Sequence, residues 1–296
     1  VPRDNVPWRV KGRALAEPRD SVSCKVWNNI PTIGKEFIMK KKVILISIDG
    51  MRPDGLKTCG NPFVKELEKI CAYTYKASSM TPSVTFPCHF SMTHSATPQR
   101  HGILTNTYVP QVRPIKGIFE KVSDAGGECA MYYGWEPLRD IALPGKLKYA
   151  TYINAYTEES SDTALTDEAE KRIMRSKPDF VFLYMVETDE KGGHDNGWMT
   201  KEYLDRIHTA IGCVQSVLEQ AGEDYAVIVT ADHGGHDRMH GTQMPEDMTI
   251  PMFFFGSSFA PGSQPDNVSL LDLAPTIAHI MGVSPVSSWE GRSLAD

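Results

Sequence analysis

The sequence lacks the features that mark several large protein classes. No apolar run approaches the roughly 20 residues of a membrane-spanning helix, and no signal-peptide-like stretch precedes the first strand-like segment. The six cysteines are scattered, without CxxC pairs or the density of a disulfide scaffold. The formal net charge of −6 offers no basic surface for nucleic acid or an anionic membrane. We therefore expect a cytoplasmic protein with reduced thiols, no membrane span and no nucleic-acid surface.

What remains is the composition of an ordinary globular protein. Of the 296 residues, 41% are hydrophobic and 23% charged, which suffices for one large domain or two smaller ones. Residues 1–38 contain prolines and unpatterned charges without a sustained period, whereas Met39 precedes a lysine run that leads into a strand. We expect residues 1–38 to be a poorly patterned, non-native or upstream extension. Residues 39–296 are then the catalytic domain.

Strand-like and helix-like segments alternate after Met39. Apolar runs of strand length occupy residues 43–48, 128–133, 179–186, 225–230 and 251–255. Apolar residues at helical spacing occupy residues 62–75, 115–125, 164–175, 201–221 and 270–281. This alternation predicts an α/β fold with a mainly parallel central sheet and helices on both faces.

The densest group of metal-binding side chains follows the strand-like run 225–230. Asp232, His233, His236 and His240 come directly after it, where open α/β sheets hold their ligands. Carboxylate and imidazole groups suit Zn²⁺ and similar ions, and the intervening glycines allow a tight turn. The alternative is an acidic surface turn that carries histidines.

Two further strand-like runs end in the same kinds of residue. Asp49 follows residues 43–48, a position that suits a turn as well as a metal ligand. Residues 179–186 lead into an acidic, glycine-rich loop that contains Asp189 and His194, and the alternative there is an exposed loop. The recurrence of the pattern favours a shared metal site.

A hydroxyl residue lies near the start of a predicted helix. Pro87 suits the first helical turn, which places Thr85 or Phe86 near the N-cap. Capping is the ordinary role of a threonine at that position. The same geometry also presents N–H groups and the positive end of the helix dipole to an anion such as phosphate.

In this order, the motifs resemble the alkaline phosphatase superfamily, most closely its type I phosphodiesterase/nucleotide pyrophosphatase branch. The matching segments, spread from residue 43 to the end of the chain, are ISIDGMRPDGL, TPSVTFPCHFSMTHSATPQRHGILTN, DEKGGHDNG, TADHGGHDRMHG, LLDLAPTIAHIMGV and EGRSL. The resemblance implies an alkaline phosphatase-like α/β/α sandwich with two divalent metal ions, which we expect to be Zn²⁺.

The resemblance also implies roles for single residues. One metal is expected at Asp49, Thr85, Asp232 and His233, and the other at Asp189, His194 and His240. Thr85 is the implied nucleophile, which attacks phosphorus and forms a phosphothreonine intermediate.

Three residues need separate comment. Cys88 stands where the family commonly has an asparagine that donates to the phosphate, and a thiol is a weaker donor. Cys88 and Asn106 are our candidate substrate-binding residues, and we expect His236 to support the metal ligands from behind. The Asp189–His194 loop is one residue longer than the commoner Asp-x-x-Gly-His form, so that Glu187 or Asp195 can be mistaken for ligands.

The predicted activity is hydrolysis of phosphodiester or pyrophosphate bonds in a small phosphate ester or nucleotide. No His/Asp relay is evident, so metal coordination is the remaining activator of the Thr85 hydroxyl. No arginine stands beside Thr85 to neutralise the additional charge of a monoester, which favours diesters. A sulfatase is not expected, because Cys88 lacks the C/S-x-P-x-R context. The alternatives are a phosphomonoesterase, a phosphonate hydrolase or a phosphomutase on this scaffold, or a catalytically inactive metal-binding homologue.

Overall fold

Seven strands form one continuous sheet in the computed structural model, which describes residues 41–295. The strands are β1 (Lys42–Ile48), β2 (Ala72–Ser78), β3 (Cys129–Tyr133), β4 (Tyr149–Tyr152), β5 (Phe180–Met185), β6 (Tyr225–Thr230) and β7 (Thr249–Phe255). Residues 1–38, for which we predict a separate extension, lie outside the described residues.

The sheet is mainly parallel, as predicted. Its strand order is β2-β7-β6-β1-β5-β3-β4, and only β7 runs against its neighbours β2 and β6. Strands β5 and β6, which flank β1, are buried at every residue, and β1 is buried at every residue but its first. Strands that are covered on both faces read as continuous apolar runs, which is why these three were visible in the sequence.

Helices connect the strands. The α-helices of the described residues are α1 (Pro53–Thr58), α2 (Phe63–Ile70), α3 (Thr85–His94), α4 (Pro98–His101), α5 (Ile118–Asp124), α6 (Ser161–Ser176), α7 (Lys201–Ala221), α8 (Pro245–Met248) and α9 (Leu273–Met281). Short 3₁₀ segments occupy Glu136–Ile141, Gly222–Asp224 and Leu270–Asp272, and a π-helical turn occupies Thr188–His194.

The helices form two groups that cover opposite faces of the sheet. Helices α3, α5 and α9 pack against one another, and α9 contacts β1. Helices α1, α2 and α6 pack against α7, which contacts β6. The α/β/α arrangement predicted from the sequence is therefore confirmed.

One predicted helix is partly wrong. The helical pattern of residues 62–75 continues only to Ile70, and β2 begins at Ala72. Tyr73 and Tyr75 lie against Phe253 of β7, with ring centroids 6.3 and 5.7 Å apart. Aromatic residues suit a pleated surface, so pairing with β7 prevails over the local helical spacing. The four-residue strand β4 was not predicted, because so short a segment carries no clear pattern.

The register of the central strands brings three strand ends to one edge of the sheet. Ile48 of β1 pairs with Met185 of β5, and Ser47 of β1 pairs with Thr230 of β6. The residues that follow these strands therefore emerge side by side. They are the segments that carry the predicted metal ligands.

The cysteines and the helices bear on two further predictions. The five cysteines of the described residues are free and buried, and their reduced state stays a prediction. Among residues 41–295, no helix combines the length and the apolar character that crossing a membrane requires.

Two buried histidines predict a loss of stability at acid pH. Burial lowers the pKa of His94 to about 3 and that of His101 to about 4. Both side chains are therefore neutral in the folded protein, whereas the unfolded chain takes up their protons below about pH 6.5. As the pH falls from about 6.5 towards 4, the free energy of unfolding should fall by up to about 1.4 kcal/mol per pH unit for each histidine.

Urea unfolding at several pH values between about 7.5 and 5 measures this slope. His101→Gln should flatten it, because glutamine does not titrate but can still bond to Ser91, whose Oγ lies 3.0 Å from His101 Nε2. His279→Gln, a substitution on the exposed side of α9, should leave the slope unchanged. Equal slopes in all three proteins would contradict the assignment.

Candidate active site

Thr85 is the first residue of α3 and lies at the sheet edge where the strand ends meet. The preceding Val84 has an extended backbone and is the N-cap, so Thr85 stands one residue inside the helix. The Thr85 side chain is buried, and its Oγ1 lies 3.2 Å from Nε2 of His233. The hydroxyl thus faces the predicted metal ligands.

One group of ligand atoms surrounds His233. Asp49, Asp232 and His233 offer atoms that all lie within 4.8 Å of one another. His233 Nε2 is 3.3 Å from Asp49 Oδ1 and 3.2 Å from Asp232 Oδ2, and all three side chains are buried. This spacing suits a single cation between the three side chains.

A second group surrounds Asp189. His194 Nε2 lies 3.3 Å from Asp189 Oδ2, and His240 Nε2 lies 3.9 Å from Asp189 Oδ1. His233 also belongs to this group, and its ring stacks on that of His240 with centroids 3.9 Å apart. The two groups therefore adjoin, with His233 at their boundary.

The carboxylates of both groups have unsatisfied oxygens. Asp49 Oδ1, Asp189 Oδ1 and Asp232 Oδ2 are buried without a hydrogen-bond donor. In Asp49 and Asp232, the second carboxylate oxygen does accept a hydrogen bond. The Tyr184 hydroxyl donates to Asp49 Oδ2, and the Gly50 N–H donates to Asp232 Oδ1 at 3.2 Å. Buried carboxylate oxygens without donors are costly, and cations satisfy them. The residues present therefore fit a metal site.

The histidines are oriented for metal binding. Nδ1 of His233, His240 and His194 each donates to a backbone carbonyl. The acceptors are Gly234, Ser83 and Arg238, at 2.8, 2.8 and 3.0 Å. A carbonyl can only accept, so Nδ1 carries a proton and Nε2 faces the carboxylates. Such a second hydrogen bond is the usual companion of a metal-binding histidine.

The electrostatics of the cluster also favour a cation. Burial, together with repulsion from Asp232, raises the pKa of Asp49 well above its usual value. Burial raises the pKa of Asp232 to about 7 and lowers that of His233 to about 3. Hydrogen bonding to Asp189 raises the pKa of His194 to about 9. Three close carboxylates repel one another until a positive charge is placed between them.

The longer Asp189–His194 loop is accommodated by the π-helical turn. In a π-helix, hydrogen bonds join residues five apart, and Asp189 and His194 have this spacing. The added residue thus brings both side chains to one side of the turn. Glu187 does not compete as a ligand, because Arg206 and Lys191 hold its oxygens at 3.0 and 2.9 Å.

Trp198 joins the metal-binding loops, a role that the sequence analysis missed. Its Nε1 donates to Gly50 O at 3.0 Å, next to Asp49. Its ring lies on Gly193 and Gly235, where an added Cβ would come within 2.5 and 2.2 Å of ring atoms. The glycines beside His194 and His236 are therefore needed for this packing, and they were the available signal for it.

A small cleft of about 70 Å³ opens over the cluster. Besides metal-site residues, its walls include Asn106, Trp135, Tyr156 and Glu190. Asn106 Oδ1 accepts a hydrogen bond of 3.0 Å from the Phe86 N–H in the first turn of α3. No arginine lines this cleft among residues 41–295, in agreement with the sequence analysis.

The role predicted for Cys88 is corrected by the structure. Its side chain is fully buried, with Sγ 3.3 Å from Ser79 Oγ and 3.6 Å from Pro82 O. It is not among the residues that line the cleft. A thiol in this environment has no access to a substrate.

His236 lies outside both ligand groups. Its Nδ1 is 2.7 Å from Asp247 Oδ1, and the other oxygen of Asp247 accepts from the Thr242 N–H at 2.8 Å. The Asp247 carbonyl also accepts from the Gly234 N–H at 2.8 Å. His236 thus helps to close the loop that carries His233 and His240.

Family models match most of the described chain. The model described as type I phosphodiesterase/nucleotide pyrophosphatase matches residues 43–153. The model of the metalloenzyme superfamily matches residues 144–285. Together, the two segments contain every residue of both ligand groups.

Curated relatives include two kinds of enzyme. Mouse (Mus musculus) ectonucleotide pyrophosphatase/phosphodiesterase family member 1 is 27% identical over 218 residues, which are 64% of this chain and 24% of the relative. The 2,3-bisphosphoglycerate-independent phosphoglycerate mutase of Methylobacillus flagellatus is 29% identical over 175 residues, 57% of this chain and 32% of the relative. The chain thus spans 24% to 32% of the length of these relatives.

A solved structure has the same fold. Inactive murine ectonucleotide pyrophosphatase/phosphodiesterase 5 in complex with AMP superposes with a TM-score of 0.71 at 15% identity, covering 83% of this chain and 96% of that one. At this identity the likeness concerns the fold. The two family models, which together match residues 43–285, show that the chain belongs to the alkaline phosphatase superfamily, and residues 43–153 match its type I phosphodiesterase/nucleotide pyrophosphatase family.

Proposed function

We propose that this chain hydrolyses phosphodiester or pyrophosphate bonds of small molecules, with Thr85 as the nucleophile. The observation that carries the proposal is the position of Thr85 Oγ1, 3.2 Å from His233 Nε2 and beside buried carboxylate oxygens that lack donors. Thr85 also begins α3, where the helix dipole favours negative charge on an oxygen or a phosphate.

The two ligand groups would hold two divalent cations. Asp49, Thr85, Asp232 and His233 would bind one, and Asp189, His194 and His240 the other. Mixed imidazole and carboxylate donors suit Zn²⁺. Bound there, the cations would supply Lewis-acid stabilisation of negative charge on the reacting oxygens.

The chain itself supplies the nucleophile and one donor to the substrate. Thr85 Oγ1 loses its proton and forms a bond to phosphorus while the bond from phosphorus to the leaving oxygen breaks, and the leaving oxygen takes up a proton from solvent, which gives phosphothreonine. Water then cleaves the phosphothreonine and regenerates the hydroxyl. Asn106 is held by the Phe86 N–H through Oδ1, which leaves its NH₂ group to donate to a phosphate oxygen.

The charge of the cleft favours diesters. A monoester dianion carries more negative charge than a diester, and the cleft walls contain the carboxylate Glu190 and no arginine among the described residues. Enzymes place arginine where the charge of a phosphate must be neutralised. This supports a phosphodiesterase over a phosphomonoesterase.

Turnover of two nitrophenyl esters tests this proposal. We expect kcat/KM for bis(p-nitrophenyl) phosphate to exceed that for p-nitrophenyl phosphate by at least about tenfold, which corresponds to about 1.4 kcal/mol. Asn106→Ala should lower both values, and Asn61→Ala, on the α1–α2 loop, should lower neither. Faster turnover of the monoester would contradict the proposed diester preference.

A phosphomutase is the second candidate, because the chain resembles a phosphoglycerate mutase over 175 residues. A mutase would isomerise a phosphorylated hydroxy acid without net release of inorganic phosphate.

We further propose that residues 39–296 suffice for the activity, because both ligand groups lie within them. The cytoplasmic location and the lack of nucleic-acid binding stay predictions.

A further inference from the structure

A second cavity, of about 250 Å³, lies between the C-terminal half of α6 and β4, the edge strand of the sheet. Its residues differ from those of the cleft at Thr85. Four cationic side chains and one carboxylate line it. They are Lys148, Lys171, Arg172, Arg175 and Glu168. The cavity is therefore strongly positive, although the chain as a whole carries a net charge of −6.

The two arginines are not neutralised by carboxylates. Lys171 pairs with Glu168 at 2.8 Å, and Lys148 pairs with Glu128. Among residues 41–295, no carboxylate oxygen lies within 4.0 Å of a nitrogen of Arg172 or Arg175. The two are three residues apart on α6, so they lie on one face of the helix.

Arg172 is held in place without losing its charge. Its guanidinium carbon lies 4.0 Å from the ring centroid of Tyr149, and Nη1 donates to Ser176 Oγ at 3.2 Å. The side chain of Tyr132 forms a neighbouring wall of the cavity. Stacking on an aromatic ring fixes the planar guanidinium, whose remaining N–H groups match the oxygens of a phosphate. An arginine that only faces water on the surface of a helix does not need these contacts.

We propose that this cavity binds a phosphate-type oxyanion, either free or as the terminal group of a larger molecule. Its volume is below the roughly 300–1,000 Å³ of sites for drug-sized ligands, so it suits one phosphate group and not a whole nucleotide. The site is separate from the catalytic cleft. It does not depend on the proposed reaction.

Titration of the metal-loaded 296-residue chain with inorganic phosphate tests the site. Wild type is expected to bind one equivalent of phosphate more than the double variant Arg172→Gln/Arg175→Gln. In this variant, the affinity of the cavity for phosphate should fall at least about tenfold. The matched control Lys65→Gln/Lys76→Gln removes the same charge from exposed positions on α2 and β2 and should bind as wild type does. Identical isotherms for wild type and the arginine variant would exclude free phosphate as the ligand.

Two further arms keep the test decisive. Sedimentation with phosphatidylcholine vesicles that contain phosphatidic acid separates the sources. If the arginine variant loses binding to the vesicles but keeps binding to inorganic phosphate, the ligand is a lipid phosphate. If it loses binding in neither assay, the site is refuted. If circular dichroism shows that the double variant is misfolded, Arg175→Gln replaces it, because this exposed side chain has no carboxylate partner among the described residues. Its affinity for phosphate or for the vesicles should fall at least about threefold, and unchanged binding in both assays refutes the site.

Discussion

Replacing Thr85 with alanine is expected to reduce turnover of a phosphodiester by at least about 10³-fold, while metal content stays near two ions per chain. The substitution removes the only hydroxyl that lies 3.2 Å from His233 Nε2 in the described part of the chain. It leaves Asp49, Asp232 and His233, whose ligand atoms lie within 4.8 Å of one another, to bind the first metal. Steady-state kinetics with bis(p-nitrophenyl) phosphate and elemental analysis of the same samples measure both quantities.

Thr93→Ala is the matched control for this substitution. Thr93 is a buried threonine of the same helix, and its hydroxyl donates to His89 O at 2.9 Å. Its loss should change stability slightly and turnover by no more than about twofold. Unchanged activity of Thr85→Ala would exclude the threonine as nucleophile. If wild type and Thr85→Ala are equally inert across a broad panel of esters, the chain is a metal-binding homologue without turnover.

The place of the site was predictable because a parallel sheet converts sequence order into spatial order. Asp49, Asp189 and Asp232 each follow an apolar strand of the central three, and parallel strands end at the same edge. Ile48 pairs with Met185, and Ser47 pairs with Thr230, so the segments that follow β1, β5 and β6 lie side by side. No single motif required this convergence, but three similar strand ends made a shared site the simplest explanation.

Other features depend on contacts that a linear pattern does not contain. Trp198 stands in no recognisable motif, yet it packs on Gly193 and Gly235 and donates to Gly50. Cys88 was wrongly placed against the substrate, because Ser79 and Pro82, which contact its buried thiol, lie outside α3 and are not revealed by its helical pattern. The residues 72–75 continue a helical pattern, but pairing with β7 makes them a strand.

Removing the metal ions is expected to abolish turnover and to destabilise the fold. Asp49 Oδ1, Asp189 Oδ1 and Asp232 Oδ2 are buried without donors, so each depends on a cation for compensation. Ligands that bind only the native state stabilise it, and their removal should lower Tm by at least about 5 °C and turnover to below about 1%. Dialysis against a chelator, followed by thermal unfolding and kinetics, measures both effects. If the chelated protein keeps its activity and its Tm, the metal site is wrong.

Site-specific variants and a choice of metals extend this test. Asp232→Asn should lower turnover and Tm as the chelator does, because an amide lacks the negative charge with which the carboxylate binds the cation. Asp195→Asn changes an exposed neighbour of His194 and should behave as wild type. Zn²⁺ is expected to restore turnover, whereas Mg²⁺ should not, because it prefers oxygen ligands and the second group offers His194 and His240 as nitrogen donors. Equal recovery with Mg²⁺ would retain the metal site but contradict the assignment of zinc.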